Sequence, residues 1–288
     1  MRTFPVVLLA IGAALPAQER KVEPTWLYRD VSAIPEQHND LTSDSCHYTP
    51  IFGEGDVETR FPLSVTRFGE VTVEAHGACQ TVEYPHQEEL YFVSNGRGVL
   101  RYGEESHPLA QNDFAYVAPT VRHSVSNPSS QKLQLVVITV RVSPETPLSQ
   151  SAKLAVANLS ELKEQAVEGH PQSVLYKLLI GPHTGVRDRI NAAYTVADFF
   201  LMDFAPGGTN FPHHHEVAEE VYLVLDGKGQ IAAGGGMDGV EGLHPAKPGD
   251  AYYFRPNCTV GFYNQNTPGA KAHILAVRAF VHMPKNPE

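Results

Sequence analysis

Hydrophobic positions fall in short runs separated by polar, turn-forming residues. Val71–Ala75, Glu89–Val93, Gly98–Tyr102, Phe114–Ala118 and Leu133–Val140 are rich in β-branched and aromatic residues, and Gly, Pro, Asn or Asp bounds each of them. Such runs predict β-strands. The series then recurs as Phe199–Asp203, Glu220–Leu225, Gly229–Ala233, Ala251–Phe254 and His273–Val277. Strands at this spacing predict an antiparallel sandwich or barrel.

The recurrence is an internal repeat. Glu89-Leu-Tyr-Phe-Val-Ser-Asn-Gly-Arg-Gly98 matches Glu220-Val-Tyr-Leu-Val-Leu-Asp-Gly-Lys-Gly229 at an offset of 131 residues. Asn112–Tyr116 matches Gly249–Tyr253 at an offset of 137, and Asn127 and Asn264 keep it. The extra residues fall in the Gly-rich stretch Gly234–Gly239, and a turn is where a β fold tolerates a change of length. The chain is thus expected to hold two copies of one β module, over 61–144 and 176–288. Residues 145–175 differ: Ala152–Val167 is rich in Ala, Leu, Lys and Glu, with Ser160 as an N-cap and Gly169 as a stop. This predicts a linker with short helices. Residues 18–60 are expected to form an arm along the first module.

Composition narrows the functional classes. The 288 residues carry 22 Lys+Arg against 32 Asp+Glu, a net charge of −10, which argues against a nucleic-acid partner. At the N-terminus, Arg2, the apolar stretch Val6–Leu15 and Pro16-Ala17 read as a secretory signal peptide over 1–17, too short to span a bilayer. No later segment is apolar enough to anchor the chain. The expected location is periplasmic or secreted. There Cys46, Cys79 and Cys258 would meet an oxidising compartment; one disulfide in any of three pairings, or three buried thiols, fit the sequence.

Histidine is abundant, with 14 in the chain. The strongest chemical signal is Pro212-His-His-His-Glu-Val-Ala-Glu-Glu220. On a strand alternate residues share a face, so His213 and His215 point one way and His214 the other. After a turn over 216–219, Glu220 opens the returning strand close to both imidazoles. Two histidines and a carboxylate converging from a hairpin suit a divalent transition metal: Fe, Mn, Ni or Zn. His215-Glu216-Val-Ala-Glu219 partly matches the helical zinc-protease motif, but Glu219 stands where its second His belongs, and the β-rich flanks oppose a helix.

Gly207, His213-x-His215, Glu220 and Gly227 have the spacing of the first signature motif of the cupin superfamily. Pro119…His123…Asn127 and Pro256…Val260…Asn264 resemble the second. The chain is similar to a two-domain cupin, a bicupin, over roughly residues 60 to 282. The resemblance implies an all-β fold of two double-stranded β-helix (jelly-roll) barrels and a metal site in the second. It leaves the reaction open, because the family spans dioxygenases, decarboxylases, isomerases, lyases and non-catalytic binding proteins.

Two departures from the family pattern matter. In the second module the late His ligand is replaced by Val260, which leaves an open triad of His213, His215 and Glu220, or a site closed by His273 or His244. The first module keeps Glu89 and His123 but has Val82 and Tyr84 in place of the His pair. An alternative alignment of Tyr84-Pro-His86 with Phe211-Pro-His213 makes His86, with Glu89 (or Glu88) and His123, a weaker second site. Glu219 and Tyr222 are the candidate catalytic groups, Glu219 as a proton shuttle and Tyr222 through the inward parity it shares with Glu220. Tyr253, Phe262 and Arg255 are candidates for contact with an organic or anionic substrate. The reading is a secreted bicupin with one divalent metal, acting as an oxygenase, isomerase or lyase on a small polar substrate, or else binding a sugar or carboxylate without turnover. The expected partners are a small molecule and, as in many bicupins, further copies of the chain. Neither nucleic acid nor, once the signal is cleaved, a membrane is expected.

Overall fold

The computed structural model describes residues 24–148, 153–234 and 241–281. The expected signal peptide lies outside the described residues. The chain runs through β1 (Trp26–Asp30), β2 (Cys46–Gly53), β3 (Val65–Val73), β4 (Gln87–Asn95), β5 (Arg97–Tyr102), β6 (Glu105–Ala110), β7 (Asp113–Val117), β8 (His123–Ser126) and β9 (Leu133–Arg141). It continues through β10 (Ala155–Asn158), β11 (Val174–Pro182), β12 (Ile190–Ala193), β13 (Val196–Phe204), β14 (Ala218–Asp226), β15 (Gly229–Gly234), β16 (Glu241–Ala246), β17 (Asp250–Phe254), β18 (Thr259–Asn264) and β19 (Ala272–Phe280). The fold is all-β, as the two jelly-roll barrels of a bicupin require.

Each barrel closes a large sheet with a three-stranded one. The first uses β10-β7-β4-β9-β3-β2 with β6-β5-β8, and the second uses β1-β17-β14-β19-β13-β11-β12 with β16-β15-β18. The repeat governs the turns as well. Gly96 and Gly227 both have φ near +85° (+85° and +83°), and a Cβ at either would lie within 2.5 Å of a backbone carbonyl oxygen. Only glycine fits there without strain.

The helical linker is not observed. Ala155–Asn158 is a strand, and among the described residues of the segment the only helical backbone is a 3-10 turn over Leu159–Glu161, capped by Asn158 rather than Ser160. β10 lies antiparallel to β7 of the first module. The composition of the segment favours helix only weakly, and the open edge of a sheet outweighs it. The arm differs from expectation too. β1 pairs with β17 of the second module, and β2 is a full member of the first module's sheet. Each module therefore lays its opening strand on the other's sheet. The 3-10 turns that follow, Val31–Ala33 and Leu159–Glu161, repeat each other.

The central strands are buried on both faces. On β4, Tyr91 and Val93 face the interior of the first barrel, while Leu90 and Phe92 join an apolar layer shared by the two modules. On β14, Tyr222 and Val224 face the second barrel's interior, and Val221 and Leu223 join the shared layer. This explains continuous apolar runs such as Leu133–Val140, since neither face of that strand meets water. The asparagines that recur in the second motif of both modules are structural ties. Asn127 donates through Nδ2 to the carbonyls of Val73, Glu74 and Gln131, and Asn264 to those of Phe204, Ala205 and Ala270. Among the described residues, no helix is long and apolar enough to cross a membrane.

Candidate metal centre

The His run is held extended by the start of β18 and the turn before it. His213 and Val260 exchange backbone hydrogen bonds of 3.0 and 2.8 Å, and Asn257 N–H donates to the His215 carbonyl. Alternation follows: His214 is exposed, while His213 and His215 turn inward toward Glu220 at the start of β14. One ligand atom from each of these three residues lies within 4.8 Å of the others.

The donor chemistry fits a metal. His213 donates from Nδ1 to the Phe211 carbonyl at 2.8 Å, which leaves Nε2 with its lone pair for a ligand. Phe211 takes a left-handed backbone conformation, φ 51°, to present that carbonyl. Burial holds the His213 imidazolium below its ordinary range, so the ring is neutral and ready to ligate. Glu220 is fully buried. Burial alone would raise its carboxyl, but His215, Arg278 and His213 around it draw it below the usual range. His215 Nε2 stands 3.1 Å from Glu220 Oε2, and apart from that imidazole no polar group of the described residues is paired with this oxygen. A buried carboxylate held below the usual range and facing two imidazoles is a donor set that suits a cation.

Around this triad lies a small cavity of about 50 Å³, room for an ion and a few waters. Three neighbouring strands carry its polar wall. Glu220 on β14 lies beside Arg278 on β19, and Arg278 beside Asp198 on β13. Asp198 accepts hydrogen bonds from both Arg278 and Arg187. Arg278 Nη1 lies 3.1 Å from His215 Nδ1. Tyr222 lines the cavity and accepts from Asn210 Nδ2 at 2.9 Å; Asn210 in turn accepts from Phe262 N–H. The sequence reading missed Asp198, Arg278, Asn210, Tyr176 and His170. Asp198 and Arg278 carried a signal, since each shares the inward parity of apolar neighbours on its strand. His170 sits in the segment read as a helical linker and carried none.

Several expectations are corrected. Glu219 is no proton shuttle at this site, because it points out of the opposite face of β14. There it accepts hydrogen bonds from the backbone N–H groups of Leu63, Ser64 and Val65 and from Tyr253 Oη. Tyr253 thus belongs to the interface between modules, as does Arg255, which donates to the Phe61 carbonyl and lies 4.1 Å from that ring's centre. Phe262 packs inside the barrel against Phe204. Neither proposed substitute closes the triad: His273 lies between Asp203 and Asp226, and His244 packs on Trp26.

The second site of His86, Glu89 and His123 does not assemble. His86 is exposed, and the backbone pairing sets the alignment: Val82 bridges His123 as His213 bridges Val260. The alternative pairing of His86 with His213 is therefore overturned. Glu89 Oε2 and His123 Nε2 do meet at 2.5 Å in the barrel. The cation beside them is Arg67, 2% exposed, with Nη1 3.7 Å from Glu89 Oε1 and further partners in Asp40, Glu54 and Tyr84. On the corresponding three strands, Glu89, Thr139 and Arg67 stand where the second module has Glu220, Arg278 and Asp198. The first barrel carries its own positive charge, whereas in the second an aspartate anchors the arginine to one side of the glutamate.

The family model for the cupin domain matches residues 69–139 and 200–278, and the chain belongs to that family. Among solved structures it is similar to a Pseudomonas aeruginosa protein described as glyoxylate-induced, at 16% identity and TM-score 0.72, covering 97% of this chain and 98% of that one. It is also similar to YlbA from E. coli, at 15% identity and TM-score 0.67, with 93% and 97% covered. For oxalate decarboxylase OxdC from Bacillus subtilis the values are 11%, 0.63, 89% and 78%. At these identities the likeness is one of fold. No curated protein matches the sequence.

Proposed function

We propose that the chain is a metal-dependent bicupin enzyme that acts on a small polar, carboxylate-bearing substrate in its C-terminal barrel. The observation that carries this reading is the group His213, His215 and Glu220, three ligand atoms brought together with the glutamate buried. A divalent Fe, Mn, Ni or Zn ion held there would polarise a substrate carbonyl or hydroxyl, or support dioxygen chemistry, so the reaction class is oxygenase, isomerase or lyase.

The chain's own residues supply the rest. A neutral His215 that ligated through Nε2 would carry its proton on Nδ1 and would no longer accept from Arg278. Arg278, still tied to Asp198, then has an N–H to offer a carboxylate at the cavity. Leu178, Phe200 and Met202 give the cavity apolar walls that limit water. The small cavity favours a second reading, a binding protein whose metal orders the hairpin. Turnover by the metal-loaded protein against a panel of small carboxylates separates the two. Export from the cytoplasm belongs to the same proposal. It is supported by the leader-like N-terminus and by the Cys46–Cys79 disulfide, with Cys258 a buried thiol.

The central test is metal content. Untagged protein should carry close to one transition metal per chain by elemental analysis, and His213→Ala with His215→Ala should remove it. Stable metal-free protein that takes up neither Fe(II) nor Mn(II) would defeat the proposal.

A further inference from the structure

We propose that His170, supplied by the segment between the modules, is the fourth protein ligand of the metal and replaces the imidazole lost at Val260. The inference rests on the metal reading above and adds to it a ligand from outside the repeat.

The second cupin motif ordinarily places a histidine where this chain has Val260. That valine is buried and bridged to His213, so it offers the site nothing but a backbone pairing. Three ligands leave a divalent transition metal short of its usual complement. His170 lines the same cavity as the triad. Its ring is 5.1 Å from that of His213, centre to centre, with the planes at 72°. The accepted pair, His213 and His215, has nearly the same relation, 4.9 Å and 81°. His170 therefore stands about as near to His213, centre to centre, as His215 does.

The proton placement agrees. Nδ1 of His170 donates to the Asn210 carbonyl at 3.0 Å, as Nδ1 of His213 donates to that of Phe211. Both rings are thereby fixed in the tautomer that leaves Nε2 as an acceptor. The two carbonyls belong to adjacent residues, so one short stretch of backbone orients both imidazoles. Beside them, Tyr176 is 4% exposed and its Oη has no partner among the described residues. Its ring lies 5.4 Å from His170. That unpartnered hydroxyl gives the same cavity a further polar group, available to a water or ligand held there. His170 lies outside the group whose atoms fall within 4.8 Å. Coordination therefore draws the ring inward, which the turn Val167–His170 permits: Gly169 has φ +83° and no neighbour within 4 Å of a Cβ position.

The test uses the full chain loaded with Cu(II) or Mn(II), with pulsed EPR to count coordinated imidazoles and competition titration to measure affinity. We expect three imidazoles in the wild type and two in His170→Gln, with affinity at least ~10-fold weaker. His170→Ala should behave alike in the imidazole count, and the metal-free variants should keep a cooperative unfolding transition because the residue lies in a turn between strands. Two imidazoles in both wild type and variant overturn the inference and leave the metal reading intact, whatever the affinity does. A wild type that binds no metal overturns both.

Discussion

Adjacent glutamates do opposite work in each module. Glu89 and Glu220 enter the barrels; Glu88 and Glu219, one residue earlier, leave by the other face of the strand and cross to the partner module. Glu88 accepts from the backbone N–H groups of Tyr194, Thr195 and Val196 and from Tyr116 Oη, as Glu219 does from 63–65 and Tyr253. Burial pushes both carboxyls up, and four donors each pull against it. Glu219→Ala strands three backbone donors in a dry interface. We expect a loss of about 3 kcal/mol in chemical denaturation, with metal content unchanged. Glu220→Ala should do the reverse, keeping the fold and losing the metal. A Glu219 variant that lost metal without losing stability would return that residue to the site. The alternation that separates the pair was legible in the sequence, because Glu219 shares its parity with Val221 and Leu223. The backbone donors it meets lie more than 150 residues away and left no local trace.

At the scale of elements, open sheet edges outweighed composition. The segment rich in Ala, Leu and Lys became a strand because β7 had an unpaired edge, and β1 found the matching edge on β17. A run of sequence cannot report an edge that forms elsewhere in the chain. The disulfide is also a link between elements, joining β2 to the loop after β3 across 33 residues. Closing a loop of that length stabilises by about 3–4 kcal/mol in the chain-entropy account. Cys79→Ser should therefore lower the thermal midpoint by several degrees, and dithiothreitol should bring the wild type to the same value. Equal midpoints for wild type and variant under oxidising conditions would show that the bond does not form.

At the scale of the molecule, the two barrels share one apolar layer. Phe52, Phe68, Leu90, Ile138, Leu179, Phe199, Val221, Tyr253, Leu275 and Val277 are all essentially inaccessible within it. Each such side chain contributes roughly 1.5–3 kcal/mol by burial, so the layer outweighs both glutamate clasps together. The modules should not fold apart. Fragments 24–148 and 153–281, expressed singly, should give no cooperative unfolding transition, whereas co-expressed they should purify as a complex that does. A cooperative transition in either fragment alone would contradict this.

The sequence by itself determined the duplicated β module, the two inward histidines and the glutamate beside them, because period-two alternation and motif spacing are local properties of the chain. Tertiary structure alone decided which edges each module's opening strand would cover. It decided that Arg67 fills the first barrel where the second has a small cavity, and that His170 lines that cavity from between the modules. Those outcomes depend on which distant strands become neighbours, and side-chain charge and hydrogen-bond demand are settled only once those neighbours have met.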